Sequence, residues 1–533
     1  MIVSEKIKNM LAVMFFLFIF FCSAKSIFCN SRFDHDYLND GKNYDFNLPE
    51  SYDARKEGFI TPIKTQGKSG PCWAFGIIST LETNFLKENN LKREIDFSEM
   101  NMIFNLNKGA SVNNLYEFDF DLTGNIEMAS AYFSSGRGPV LEKDDKYEIN
   151  YLPRDYEETQ TKKPVKYIKK IIYIPDADKK DDLSLKNHRE LIKKFVYEYG
   201  SVAASIYFDE KFLDDEFENY FYCGYEENCN HMVSIVGWDD NYLKDNFSRK
   251  NELPKKNGAF IVKNSWGQNG NNMGFFYVSY EDKLFAKNCC FMSDIVDMQE
   301  KYEFENIYQN DYFGMTSVIE KKMLDGKRYI ANVFDLKSEK EALSEIGIFV
   351  AENNTRAKIF LLKVNEDGKI FGRSDFLCEK RFDLPGYYVI DLPEKILLEE
   401  KKFGVGIEFL GCNNFIACES RESLFSSRAI GEKNKNFYGN RYGFEDFYGK
   451  KSEFTNFCIK AFTEKNFYGA KKIDYKKFEI RKKIKVKKNN KTEVYKKNKT
   501  SKNNNLDVKK NIFMFVMIVL LLFSVLCIVI KYF

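Results

Sequence analysis

Residues 66–89 read QGKSGPCWAFGIISTLETNFLKEN, and the fold turns on this stretch. Ser69-Gly70-Pro71 has the chemistry of a turn. Glycine bends freely, and proline suits a first helical turn, where its missing N–H would go unpaired anyway. Beyond it Trp73, Ile77, Leu81 and Phe85 recur every four residues, which predicts a helix over 72–89 with one apolar stripe. Cys72 therefore falls at a helix N-terminus. The N–H groups and positive dipole end found there favour a thiolate, so Cys72 is a candidate nucleophile.

A nucleophilic thiol needs a base, and the chain has only three histidines. His35 lies in the leader. His188 sits among charged residues in LKNHRELIKK, the setting of a solvated helix histidine. His231 alone opens an apolar run, HMVSIVGW (231–238). GAFIVKNSW (258–266) and MGFFYVSY (273–280) are similar runs, so strands are expected after about position 188. A helical first half before a strand-rich second half implies an α+β domain of two lobes. From 298 to 462 come further short runs, among them IGIFVAE, AKIFLLKV, GYYVIDL and FGVGIEFL, which read as a β-sandwich.

The ends carry different signals. Lys6 and Lys8 precede the apolar run 10–22 and the small residues Ser23-Ala24, the pattern of a secretory signal cut after Ala24. Residues 512–530 are apolar but for Ser524 and Cys527. About 19 residues make a helix of roughly 29 Å, enough for a bilayer core; a cleaved lipid-anchor tail is the alternative. The Lys- and Asn-rich segment before it cannot bury enough surface to fold and reads as a stalk, a solvated spacer or a contact for an anionic envelope polymer. A translocated body puts this basic stalk outside, against the positive-inside tendency.

Bulk composition narrows the class. The 533 residues are 44% hydrophobic and 30% charged, with a net charge of +3, so nothing in the balance calls for nucleic acid. Twelve cysteines include no C-x-x-C pair, which argues against structural zinc, and no metal site is assigned. Cys223 and Cys229 could form a local disulfide ahead of His231 or stay as two thiols. Cys289 and Cys290 have no functional reading.

Taken together, Gln66 to Phe75 resembles the nucleophile motif of papain-like cysteine peptidases. Asn230-His231 with Val236-Gly237-Trp238 resembles their histidine motif, and Asn264-Ser265-Trp266-Gly267 their asparagine motif. Leu48-Pro49-Glu50-Ser51-Tyr52-Asp53 resembles the start of the mature enzymes. The resemblance implies catalytic roles for Cys72 as nucleophile, His231 as acid and base, Asn264 as its orienting partner and Gln66 as an oxyanion donor. It implies that Trp266 covers the His–Asn bond and that Gly124, Asn125 and Ile126 line the substrate cleft. Departures accompany it. Ser69 and Pro71 stand where the family has Cys and Ser, a single glycine follows Thr123, and Gly270 stands near a usual tryptophan. The family's long inhibitory pro-segment has only about Lys25 to Asn47 as its expected counterpart.

The region after Met298 is similar to the lectin-like domain appended to some bacterial and archaeal members, through YQND (308–311), MTS (315–317) and FCIKAF (457–462). The expected order is a signal peptide (1–24), leader (25–47), peptidase domain (48–298), lectin-like β-sandwich (299–465), stalk (466–510), transmembrane helix (511–530) and cytoplasmic tail (531–533). The implied protein is an endopeptidase secreted and anchored in the cell membrane with its body outside. It takes protein or peptide substrates and uses no cofactor, and a cell-surface glycan is a further partner to weigh. The rival is a catalytically silent adhesin or glycan-binding protein on a peptidase scaffold. A binder has no physical need for all four of Gln66, Cys72, His231 and Asn264, which favours the enzyme.

Overall fold

The structure is a computed structural model that describes residues 44–472, apart from 68–69, 108–123, 149–161, 178–180, 215–218, 223, 225–228, 248–252, 268–273, 299–303, 411–414, 423–424, 441–442 and 451–452. The expected signal, most of the leader and stalk, and the second apolar run lie outside these residues. No helix among the described residues is long and apolar enough to cross a membrane.

The chain enters through β1 (Ser51–Asp53) and α1 (Ala54–Glu57), and the helix that opens at the cysteine is α2 (Cys72–Glu88). Pro71 lends its carbonyl to the N–H of Ala74 at 2.9 Å, which starts the helix. The stripe is buried as expected, but so is the opposite face. Thr80, Glu82, Thr83 and Asn84 are all shielded from solvent. Each is satisfied: Thr80 Oγ1 meets Ser234 Oγ at 2.6 Å, and Asn84 Nδ2 donates to Tyr199 and Ser201 carbonyls at 2.9 and 2.8 Å. A central helix can carry polar residues when the surrounding elements supply their partners. Then come α3 (Glu99–Asn107) and α4 (Ile126–Ser134). Asn125 caps α4 by accepting the Met128 N–H at 3.0 Å.

After β1, strands resume earlier than expected, with β2 (Lys166–Ile174), before α5 (Asp182–Tyr199). The lysines of KYIKKIIYI hide this strand from a hydropathy reading. In the fold they are neutralised: Lys166 pairs with Asp297, and Lys169 Nζ reaches Glu345 at 2.8 Å and Asp391 at 2.6 Å. On α5, His188 is buried rather than solvated, which corrects the expectation for LKNHRELIKK. The last leader residues run along this helix, where Tyr44 N–H donates to Asn187 Oδ1 at 3.0 Å.

The remaining peptidase strands are β3 (Val202–Ile206), β4 (Leu213–Asp214), β5 (Asn219–Tyr220), β6 (His231–Asp239), β7 (Ala259–Lys263), β8 (Phe275–Ser279) and β9 (Lys287–Asp297). Their order in the sheet is β2-β9-β3-β6-β7-β8-β5-β4, with β1 paired to β6. Every residue of β6 but its last is buried, so this strand reads as a continuous apolar run.

The second region is all β: β10 (Phe304–Gln309), β11 (Ser317–Glu320), β12 (Tyr329–Asp335), β13 (Glu341–Val350), β14 (Thr355–Val364), β15 (Ile370–Phe382), β16 (Gly386–Leu398), β17 (Lys402–Leu410), β18 (Phe415–Ser420), β19 (Asn436–Asn440), β20 (Gly443–Asp446), β21 (Phe454–Phe457) and β22 (Ile459–Glu464). Six strands form the sheet β15-β14-β17-β12-β19-β20, and three form β11-β18-β21. The remaining strands do not make a separate sandwich layer. They run β10-β22-β13-β16 and continue through β16 into β2, so one sheet crosses from the second region into the peptidase. A short β23 (Lys471–Lys472) also pairs with β16.

Candidate active site

Cys72 is the first residue of α2 and His231 the first of β6, so helix and strand must meet end to end. Gly76 permits this. A Cβ there would lie 3.0 Å from Met232 Cγ and 3.4 Å from its backbone, so a larger residue would push α2 off the strand. Met232 follows His231 directly, and its backbone N–H, with those of Trp73 and Cys72, acts on the Cys72 sulfur to favour the thiolate. Burial pushes the Cys72 thiol up, while these N–H groups pull it back.

His231 Nε2 lies 2.8 Å from Asn264 Oδ1. The same oxygen accepts the Ser265 N–H at 2.9 Å, which makes it the acceptor and Nε2–H the donor. The neutral ring then carries its lone pair on Nδ1. Burial draws the imidazole down to about 4, opposed by the Asn264 bond. The Trp266 indole stacks on His231 with centroids 4.8 Å apart and planes 29° apart. Phe208 meets Trp266 edge-on at 4.7 Å. The indole thus lies against the ring whose Nε2 bonds Asn264.

Gln66 is held from several sides. Its N–H donates to Ser265 O at 2.8 Å, Gly267 N–H donates to Lys64 O at 3.1 Å, and Tyr147 Oη–H donates to Gln66 O at 2.9 Å. Ser265 Oγ donates to Gln66 Oε1 at 2.6 Å. Anchoring one arm of the amide fixes where the Nε2 arm points. Ser265, Tyr147 and Phe208 were missed by the sequence reading. Ser265 was findable, because it lies between Asn264 and Trp266; nothing marks the other two.

Beneath the site lies an ionic cluster, buried at Glu82 and Glu99 and open to solvent at Asp96. Lys64 Nζ contacts Glu82 Oε1 at 3.0 Å, Glu99 Oε1 at 2.8 Å and Asp96 Oδ1 at 2.6 Å. Lys263, next to Asn264, donates to Thr61 Oγ1 at 3.0 Å, and Thr61 donates to Glu82 Oε2 at 2.6 Å. Burial lowers Lys263 to about 8. The cluster pins the segments that carry Gln66 and Asn264.

Gly124 packs on Trp73, the neighbour of Cys72: a Cβ at 124 would fall 2.2 Å from Trp73 Cε2. Asn125 is exposed and spends its oxygen as a helix cap. The Ile126 side chain is buried in the core. Gly124 thus lies beside the helix turn that bears the thiol. Gly270 and Cys223 lie outside the described residues, so the proposed Cys223–Cys229 link does too.

Against known proteins, residues 48–298 match the papain family cysteine proteases and residues 307–463 match the lectin-like domain. Falcipain-2b of Plasmodium falciparum is 25% identical over 277 residues, 48% of each chain. Cathepsin J of Mus musculus is 26% identical over 245 residues, 44% of this chain and 60% of its own. The match thus spans about half the length of these curated relatives. The clostridial cysteine protease Cwp84 after propeptide cleavage superposes with a TM-score of 0.67 at 25% identity, over 78% of this chain and 99% of that one. The cysteine protease and lectin-like domains of Cwp84, a surface layer associated protein of Clostridium difficile, share the fold at a TM-score of 0.67 over 80% of this chain and 91% of that one, at 24% identity. Residues 48–298 are accordingly a papain-family cysteine protease domain, followed at 307–463 by a lectin-like domain.

Proposed function

We propose that this chain is a cysteine endopeptidase displayed outside the cell. The observation that carries the reading is the His231 ring, bonded through Nε2 to Asn264 and covered by Trp266, on the residue before Met232, whose backbone acts on the thiol that opens the Cys72 helix. With Nε2 committed, Nδ1 takes the Cys72 proton. The thiolate attacks the scissile carbonyl, and the oxyanion is received by the Cys72 N–H and the Gln66 side-chain amide. His231 then protonates the leaving amine, leaving a thioester on Cys72. Water, giving its proton to His231, resolves that thioester. The neutral pair and the thiolate–imidazolium pair hold the same single proton, so pH does not choose between them. The N–H groups around the sulfur favour the charged form.

Display outside a membrane is supported by the apolar runs at 10–22 and 512–530 and by similarity to a surface layer associated protein. An epoxide probe that traps activated thiols tests the chemistry on the full chain. The expected result is labelling confined to Cys72, mapped by mass spectrometry and abolished by His231→Ala. Folded protein that shows no selective labelling would overturn the reading. Glycan binding that survives Cys72→Ala in such protein would move the assignment to an adhesin.

A further inference from the structure

We propose that the lectin-like domain sets the substrate wall of the peptidase cleft, with Tyr173 as the positioning residue between them. This rests on the peptidase reading above and takes the backbone at Gly124, beside Trp73 and Cys72, as the wall that receives substrate on the amino side of the scissile bond.

Tyr173 belongs to β2, the strand that continues the lectin-domain sheet into the peptidase. Its backbone N–H donates to Pro385 O at 2.9 Å, and its neighbours Ile171 and Ile172 are in register with Tyr387 and Gly386. Gly386 has φ +147°, and a Cβ there would fall 2.2 Å from Ile171 O. The junction is therefore built for an approach only glycine allows. The Tyr173 side chain points the other way. Its hydroxyl donates to Ser130 Oγ at 2.7 Å, and Ser130 donates in turn to Ile126 O at 2.7 Å. Ile126 is the first residue of α4, two residues after Gly124 and its contact with Trp73.

An unbroken path of hydrogen bonds and chain thus runs from the lectin-domain backbone to the residue that packs beside Cys72. Ser130 is 1% exposed and Tyr173 9% exposed. The other end of the helix meets the same domain. A Cβ at Gly136 would fall 2.3 Å from Ile307 Cδ1, and one at Gly314 would lie 3.6 Å from Ala131 Cα. A tyrosine that merely needed a buried partner could have used any acceptor. Here the acceptor hydroxyl is itself spent on the opening carbonyl of α4.

Tyr173→Phe keeps the ring and removes the link, and Ser130→Ala removes it from the other side. Both are made in the full chain and assayed with peptides of increasing length on the amino side of the scissile bond. We expect KM to rise about three- to ten-fold for the longer peptides, the worth of one net hydrogen bond, with kcat within about two-fold of the parent. The rise should shrink for peptides that reach only the first position, and the double variant should cost no more than either single one. Amide exchange should quicken in 126–134 but not in 182–199. Parental KM for the long peptides, or a fall in kcat with KM unchanged, would overturn the proposal while leaving the peptidase reading intact. A parent that neither turns over peptide nor labels at Cys72 would overturn both.

Discussion

The two reacting side chains are both buried, and burial acts on them in opposite directions. The Cys72 thiol is pushed above its usual value near 9, and the His231 imidazole is drawn from 6.5 to about 4. Each shift alone favours the uncharged group, so the pair holds one shared proton over a wide range of pH. As pH falls through about 4 the pair gains a second proton and loses its base. As pH rises past the thiol value it loses the proton needed by the leaving amine. The expected profile of kcat/KM is therefore a broad bell, with its acid limb near pH 4 and its alkaline limb above about 9. An acid limb near the ordinary imidazole value would show that His231 is solvated. These residues were legible in sequence because each lies in a short local pattern: Cys72 after a turn, His231 at the head of an apolar run, Asn264 and Trp266 within one four-residue motif. Phe208, Tyr147 and the burial of His188 were not, because long-range packing places them.

At the scale of elements, the helix over 72–88 was legible from its period of four, but its burial on both faces was not. Thr80 and Asn84 look like a solvent face until Ser234, Ser201 and Tyr199 arrive from distant strands. Strand β2 was illegible for the converse reason. Its lysines suggest a surface, and the acids that neutralise them come from 297, 345 and 391. The segment leading into α4 approaches α2 where a side chain is missing, at Gly124. A methyl group 2.2 Å from Trp73 Cε2 cannot be accommodated without moving the indole or the loop. Because Trp73 adjoins the thiol, either shift displaces Cys72 or the wall beside it. Displacements of about 1 Å can cost on the order of a hundred-fold in rate. Gly124→Ala should therefore lower kcat/KM at least about ten-fold in steady-state assays while circular dichroism still shows a folded chain. Parental activity would mean that Trp73 has room to move.

At the scale of the whole molecule, the separate sandwich read from turn-punctuated short strands gives way to a joined structure. Strand alternation reports which residues face a core, but not whose core it is. One buried cluster holds Trp73, Leu81 and Phe85 of α2, Ala131 of α4 and Tyr167 of β2. It also holds Phe313, Phe349, Tyr387 and Phe462 of the lectin-like region. Tyr167 and Phe462 meet ring to ring at 5.5 Å, and Phe349 and Tyr387 at 4.9 Å. Domains that merely touch present modest polar interfaces and unfold separately, whereas regions that share a core and a sheet lose both together. The buried pair Lys169–Glu345 sharpens this, since pulling the regions apart strands a charge on each side. Scanning calorimetry of the full chain should therefore show a single transition for the peptidase and lectin-like regions. Gly386→Val, which drives side-chain atoms into Ile171 O, should lower the midpoint of that one transition rather than split it. Two resolved transitions in the parent would mean that the cores part before either melts, and that the sheet running through β2 and β16 couples the domains only weakly.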